Sequence, residues 1–257
     1  MLVQLMDSDF FFLIYLLVLI VMLLAGIALA RWLGIAPGEG ESRNSLLNAI
    51  ISFFSLLLAF TLSSSADSNK QRISFIQQHR GSIASLYRQS FLFDDSLRLS
   101  VKQYAINSIE LKLAAMNTRS ADSINELDRR ATLLNNTYLR AVSALARDHP
   151  QSHTGARTIA DEINKVIYLD AQVHYSNQQR TPSVVMLLLL IVSWTIAFAM
   201  GLFGTLYRKR HYLGPIIFTF LTSLTVLIIQ DMDNPHQGII RPPYDIYRGL
   251  LDEIKAE

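Results

Sequence analysis

The sequence predicts an all-α integral membrane protein: four transmembrane helices, with a helical-bundle domain between the second and the third. Three observations carry this. Four stretches hold no charged side chain, Phe10–Ala30, Asn44–Ala66, Thr181–Tyr207 and Tyr212–Gln230, of 21, 23, 27 and 19 residues; about 20 apolar residues cross the hydrocarbon of a bilayer as a helix. A polar block of 116 residues, Asp67 to Pro182, parts the second stretch from the third. The chain is 51% hydrophobic and 17% charged, whereas a soluble domain carries about 25% charged residues.

The chain accordingly divides into four parts. Residues 1–66 hold transmembrane helices at about 10–33 and 44–66, and residues 67–182 form the extramembrane bundle. Residues 183–231 hold transmembrane helices at about 183–207 and 212–231, and the tail, 232–257, carries a short interfacial helix.

The first apolar run ends in Ala28-Leu29-Ala30, which resembles a signal-peptide cleavage site. Asp7 and Asp9 precede it with no Lys or Arg, and the run exceeds the roughly 7–15 residues of a signal-peptide core. It is read as a retained anchor. The second span is expected to leave the bilayer as a continuous rod, because Ile73, Ile76, Ile83 and Tyr87 prolong its helical spacing. In the bundle, Asp94-Asp95-Ser96 offers N-cap acceptors for a helix reaching about Met116, with Leu97, Val101, Tyr104, Ser108 and Leu111 on one face. Ile124, Leu127, Ala131, Leu134, Tyr138, Ala141 and Leu145 follow at alternating steps of three and four. Ser123 and Glu126 are read as a capping box for that helix, and Asp148-His149-Pro150 as its end. The stripe suits a bundle core or a coiled coil between subunits. Thr158 is expected to open the next helix, with Ile159, Ile163, Val166 and Val173 inward. Pro182 then falls at the start of the third span, where its missing amide costs nothing. In the tail, Tyr244, Ile246, Tyr247, Leu250 and Ile254 give the interfacial helix its apolar face.

Charge in the short loops gives the orientation. Arg31, Arg43 and Arg208-Lys209-Arg210 place both short loops in the cytoplasm of a bacterial inner membrane, leaving the bundle outside. Lys70, Arg72, Arg80 and Arg180 argue the other way, but long domains translocate largely regardless of charge.

Chemistry is sparse. There is no Cys, so no thiolate metal site or disulfide. A net charge of +2, with 15 Lys and Arg against 11 Asp and Glu in the central block, gives no basic patch for nucleic acid. Neither Walker A, dinucleotide fingerprint, HExxH nor GxSxG occurs, and an enzyme is not expected. No cofactor or metal is expected either; His149 and His153 are parted by Pro150. No ionisable side chain lies within a span, which argues against a pump or coupled transporter.

The second span is the informative one. Asn48, Ser52, Ser55, Ala59, Ser63 and Ala66 form one small, polar stripe. Such a face packs against another helix, or lines a pore when several copies surround an axis. Asn48, Ser52 and Ser55 are the polar pore-lining candidates, and Ile50, Phe54 and Leu58, beside them, the candidates for an apolar constriction. Gly201 and Gly204 mark a helix contact in the third span.

Three places together resemble a known family. Leu56-Leu57-Leu58-Ala59-Phe60-Thr61 precedes a basic helical run containing Arg72; Tyr104 and Glu110 share an amphipathic helix; and Asp231-Met232-Asp233-Asn234-Pro235-His236-Gln237-Gly238 follows the fourth span. This resembles the bacterial bestrophin-like domain family, four-span proteins of unassigned function, from about Ser45 to Leu251. The family's last span ends in Leu-Asp-x-Pro-Phe-x-Gly; Asp233, Pro235 and Gly238 match, while Met232 and His236 depart. Gln78-His79-Arg80-Gly81-Ser82 stands where the family carries an acidic motif. The resemblance implies kinship with bestrophins, pentameric anion channels with the pore along the second span. Their central domain lies in the cytosol, opposite to the orientation that the loop charges give.

Two further groups of residues are candidate sites. Asp233 and His236 can form a pH-sensitive latch or a cation site, or Asp233 can hold a turn by accepting backbone amides. Asp170 and His174, one helical turn apart, can pair with each other, bind a metal with help, or bridge at the surface. Two functions are therefore carried forward. One is a homo-oligomeric passive ion conduit in the lipid bilayer, lined by the second span. The other is an extracytoplasmic helical sensor or scaffold acting through a partner protein.

Overall fold

The computed structural model describes residues 11–34, 41–118, 120–148, 153–204, 213–235 and 238–257. Among them are eight helices: α1 (Phe11–Trp32), α2 (Glu41–Ser90), α3 (Asp95–Met116), α4 (Ala121–Asp148), α5 (His153–Gln178), α6 (Ser183–Gly204), α7 (Leu213–Asp233) and α8 (Asp245–Ala256). The fold is all-α, and four of its helices are long and apolar enough to cross a membrane. They divide into two compact units, residues 1–67 with 180–234 and residues 68–179 with 235–257.

The first unit is the membrane unit. It contains α1, α6, α7 and the apolar stretch of α2 up to Asp67. α1 and α6 are apolar all round, as a helix with lipid on one side and protein on the other must be. Leu13, Leu17 and Leu24 of α1 are exposed, whereas Tyr15 and Leu19 are buried. The two helices approach to backbone contact. A Cβ on Gly26 would stand 2.1 Å from the carbonyl oxygen of Phe198, and one on Gly201 2.1 Å from that of Leu23. Gly201 thus fills the contact role expected of it, and Gly26, unremarked in the sequence, is its counterpart. Tyr15 Oη donates to Ser193 Oγ at 2.9 Å in the same interface, so neither buried hydroxyl is left without a partner.

The second unit is the bundle: α2 from Ser68 onward, α3, α4, α5 and α8. Its core gathers Ile76, Ile83 and Tyr87 of α2 with Val101, Tyr104 and Ile109 of α3, Val142 of α4, and Ile159, Ile163, Val166 and Val173 of α5. The second span does continue as one 50-residue helix. Asp94 caps α3 as expected, accepting from the amide of Leu97 at 3.4 Å.

Three expectations are corrected. α4 begins at Ala121, with the carbonyl of Ser120 accepting the amide of Ile124. Ser123 is therefore inside the helix, and Glu126 binds Arg129 and Arg130 instead of closing a capping box. α5 opens at His153, a turn and a half before Thr158. The stripe on α4 drifts as a straight helix does: Ala131, Asn135 and Val142 are buried while Ala141 is exposed. It packs within the subunit, Tyr104 stacking on Tyr138 with ring centroids 4.6 Å apart.

The tail also differs from expectation. Tyr247, Leu250 and Ile254, the apolar face assigned to an interfacial helix, are buried in the bundle core. A face covered by protein has no apolar surface left to offer a bilayer.

Candidate functional site

Within the membrane unit the second span presents two unlike faces. Asn48, Ser52, Ser55, Ala59 and Ser63 are exposed. Ser52 Oγ donates to the carbonyl of Asn48 and Ser55 Oγ to that of Ile51, both at 2.8 Å, so these hydroxyls are satisfied along their own helix. The bulky stripe behaves otherwise. Phe54 is buried against Phe218, ring centroids 5.9 Å apart, and Ile50 and Leu58 pack against the same core. Phe54 is thus interior to the subunit, while Ile50 and Leu58 stay half-buried beside it. The large apolar residues that α2 leaves uncovered are Phe53, Leu56 and Phe60, 59%, 69% and 71% exposed.

Asp233 closes the membrane unit. Its Oδ1 accepts from Ser65 Oγ and its Oδ2 from the backbone amide of Thr181, each at 3.0 Å. Ser65 also reaches the carbonyl of Ile229, at 3.4 Å. Pro182 opens α6, its carbonyl accepting from Val185 and Met186. One carboxylate thus ties the second span, the entry to the third and the end of the fourth, beside the positive end of the α6 dipole. Pro235 is buried and Gly238 lies in an irregular turn. His236 falls outside the described residues.

Inside the bundle lies a polar network that the sequence did not announce. Asp170 of α5 forms an ion pair with Lys112 of α3 and accepts from Asn135 Nδ2 of α4 at 3.3 Å. Tyr104 Oη donates to Asn135 Oδ1 at 2.8 Å. His79 of α2 places Nε2 4.0 Å from Asp170 Oδ1, and its Nδ1 is 2.7 Å from Tyr247 Oη of α8. Five helices thus contribute to one buried cluster. His79, Asn135 and Lys112 are 0%, 5% and 7% exposed.

Burial opposes every charge here, and the pairing decides the outcome. It opposes the Lys112 ammonium, yet Asp170 outweighs it and raises the group above its ordinary value. Burial likewise pushes Asp170 up, but Lys112, His79 and Asn135 together hold it below the usual carboxylate range. His79 has no such rescue: burial pulls it down to about 4 despite Asp170, and Lys112 adds to the fall. The imidazole is neutral at physiological pH. Tyr247, buried beside Tyr244 and Asp170, stays a phenol.

Asp170 and His174 do not pair with each other. His174 Nδ1 lies 2.8 Å from Asp128 Oδ2 of α4, and its Nε2 2.9 Å from Gln178 Nε2. Asp128, Asp170 and His174 nonetheless line one half-open cleft of about 340 Å³ between α4 and α5. Arg72, 1% exposed, donates to the carbonyls of Ser176 and Gln179 at 3.2 and 3.3 Å, neutralising the negative end of α5. No group of three or more metal-ligating side chains occurs among the described residues.

Fold and site together define a multi-pass membrane protein with four helical spans and a helical bundle carried between the second and the third. The family model of the bestrophin-like domain matches residues 13–241, and the chain belongs to that family. Among solved structures it is similar to point variants of a bacterial bestrophin homolog from Klebsiella pneumoniae. The first has a TM-score of 0.70 at 14% identity, covering 97% of this chain and 99% of that one. Two others score 0.67 and 0.66 at 15% identity, each over 96% of this chain and 99% and 100% of theirs. At such identity the likeness is one of fold. No curated protein matches the chain.

Proposed function

We propose that the protein is a homo-oligomeric passive ion channel whose path runs along the uncovered face of the second span, with anions as the conducted class. One observation carries this: Asn48, Ser52 and Ser55 lie on a span yet no helix of their own subunit covers them. Lipid is a poor neighbour for such a stripe, and an axis shared with other copies is a good one. Phe53, Leu56 and Phe60, exposed beside the half-buried Ile50 and Leu58, are the bulky residues that narrow the path. Membership of the bestrophin-like family and the likeness in fold to a bestrophin homolog support a conduit over a sensor; the choice of anions rests on the sequence resemblance to bestrophins alone.

The test is electrical. Purified oligomers in planar bilayers carry chloride current; Ser52→Leu and Ser55→Leu reduce it, and Phe60→Ala enlarges it or removes its rectification. Verified oligomers that stay silent across anions, cations and pH overturn the reading.

A further inference from the structure

The second span meets the fourth at two points that share one register. Phe54 of α2 packs on Phe218 of α7, and Ser65 Oγ lies 3.4 Å from the carbonyl oxygen of Ile229. Phe54 and Ser65 are eleven residues apart on α2, as Phe218 and Ile229 are on α7. Eleven residues are close to three whole turns, about 16 Å of helix, so both contacts fall on one face of each helix. Thr61, 1% exposed, belongs to that same face of α2.

The opposite face is the uncovered one. Ser63 stands two residues from Ser65, about 160° away round the helix, and Ser52 and Ala59 are exposed on the same side. Phe60, also exposed, flanks this stripe about 60° round from Ser63. What grips the back of α2 therefore decides what its front presents. The two grips differ in kind. Phe54 on Phe218 is a contact between apolar rings, without a fixed direction. Ser65 Oγ donates to Asp233 Oδ1 at 3.0 Å, a directional bond, and Asp233 is itself held by the backbone amide of Thr181 at 3.0 Å.

We propose that the Ser65–Asp233 bond is a latch on the rotation of α2, with both side chains acting as positioning residues that keep Phe60 off the path. Its effect on conduction rests on the reading of α2 as the lining helix; the latch itself concerns only α2 and α7. Freed at Ser65, the end of the span turns about the Phe54 contact, and a turn of about 60° puts Phe60 where Ser63 stood. Conduction falls as the latch opens.

The chain has no Cys, so single introduced thiols report on α2 in the full-length oligomer. Ser65→Ala removes the donor and leaves Asp233 on the Thr181 amide. In nanodiscs, it slows labelling of the Ser63→Cys variant by a water-soluble maleimide about five-fold, the population shift that one net hydrogen bond sets. In planar bilayers it lowers chloride current to a similar degree. Ser65→Thr, which keeps the hydroxyl, restores both readouts. Adding Phe60→Ala to Ser65→Ala returns the current but not the labelling rate. Thr225→Val, which removes a hydroxyl bound to the Leu221 carbonyl along α7 itself, changes neither. Unchanged labelling and current in Ser65→Ala oligomers of unaltered helicity overturn the latch and leave the conduit standing. A parent that carries no current yet shows the labelling change overturns the conduit and supports the latch.

Discussion

His79 of α2 and Tyr247 of α8 meet inside the bundle at 2.7 Å, with His79 fully buried. The second contact of the phenol, to the carbonyl of Ile76, is longer at 3.4 Å. Donation by Tyr247 to Nδ1 is therefore the stronger bond, and the imidazole proton then sits on Nε2, directed at Asp170 4.0 Å away. The tail helix is fastened by this neutral histidine.

Acid should loosen it. Burial lowers His79 from an ordinary 6.5 to about 4. As pH falls through 6.5 the unfolded chain takes up a proton at this position and the folded one does not, so stability declines from pH 6.5 down to about 4. The decline from this group is about 3 kcal/mol in all, at 1.36 kcal/mol per unit. Urea unfolding in detergent across that window measures it. His79→Gln should flatten the slope between pH 6.5 and 4; an unchanged slope assigns the acid sensitivity elsewhere.

The contact between α1 and α6 makes a steric prediction. A methyl group at Gly26 or Gly201 meets a backbone carbonyl at 2.1 Å, and backbone cannot rotate aside. Gly26→Ala and Gly201→Ala should each destabilise the membrane unit by about 1–3 kcal/mol, the usual range for overpacking. Gly81 of α2 has nothing within 4 Å of its Cβ position, and Gly81→Ala should stabilise by about 0.5–1 kcal/mol through helix propensity. Thermal aggregation of detergent-solubilised variants distinguishes the two signs.

Elements that depend on local chemistry were readable in the sequence; those that depend on a neighbour were not. The Asp94 cap, the start of α6 just after Pro182 and the long rod of α2 each follow from residues a turn or two apart. Ser123 and Glu126 matched a capping box by spacing, but nothing local revealed that Arg129 and Arg130 would claim the carboxylate. Phe54 and Phe53 are adjacent and equally greasy; only the presence of Phe218 decides which one is interior. The buried network did leave a trace. Arg72, Ile76, His79 and Ile83 step by four, three and four, and Tyr104, Ser108 and Lys112 by four and four. Polar residues on an otherwise apolar stripe are the sign of a satisfied interior cluster. Lys112 in particular takes the inward position expected of Leu111, and the convergence of these residues on Asp170 required the fold.

Asp233 should be worth more than a surface carboxylate. It accepts from both Ser65 and the Thr181 amide at 3.0 Å, and hydrogen bonds to a charged group contribute about 1.5–3 kcal/mol each at most. Asp233→Ala should destabilise by about 2–3 kcal/mol and Ser65→Ala by about 1. Asp233→Asn, which retains one acceptor, should fall between them. Limited proteolysis of membrane-embedded protein at the segment before α6 reads the loss directly. Equal resistance in Asp233→Ala and the parent would show that the carboxylate joins nothing.

The Lys112–Asp170 pair separates a broken interaction from an absent one. Lys112→Met leaves a carboxylate that is 15% exposed with only Asn135 and a neutral His79 nearby, and orphaning one partner of a buried pair costs about 3–5 kcal/mol. Asp170→Asn orphans the ammonium and should cost a similar amount. The double variant Lys112→Met with Asp170→Asn buries no charge at all. It should recover most of the loss, since replacing a whole buried pair by neutral groups is often nearly neutral. A double-mutant cycle by urea unfolding of the full-length protein gives the coupling energy, expected at about 2 kcal/mol or more. Additive losses would mean that the two groups are solvated separately, and the bundle would then hold no shared ion pair beneath the cleft.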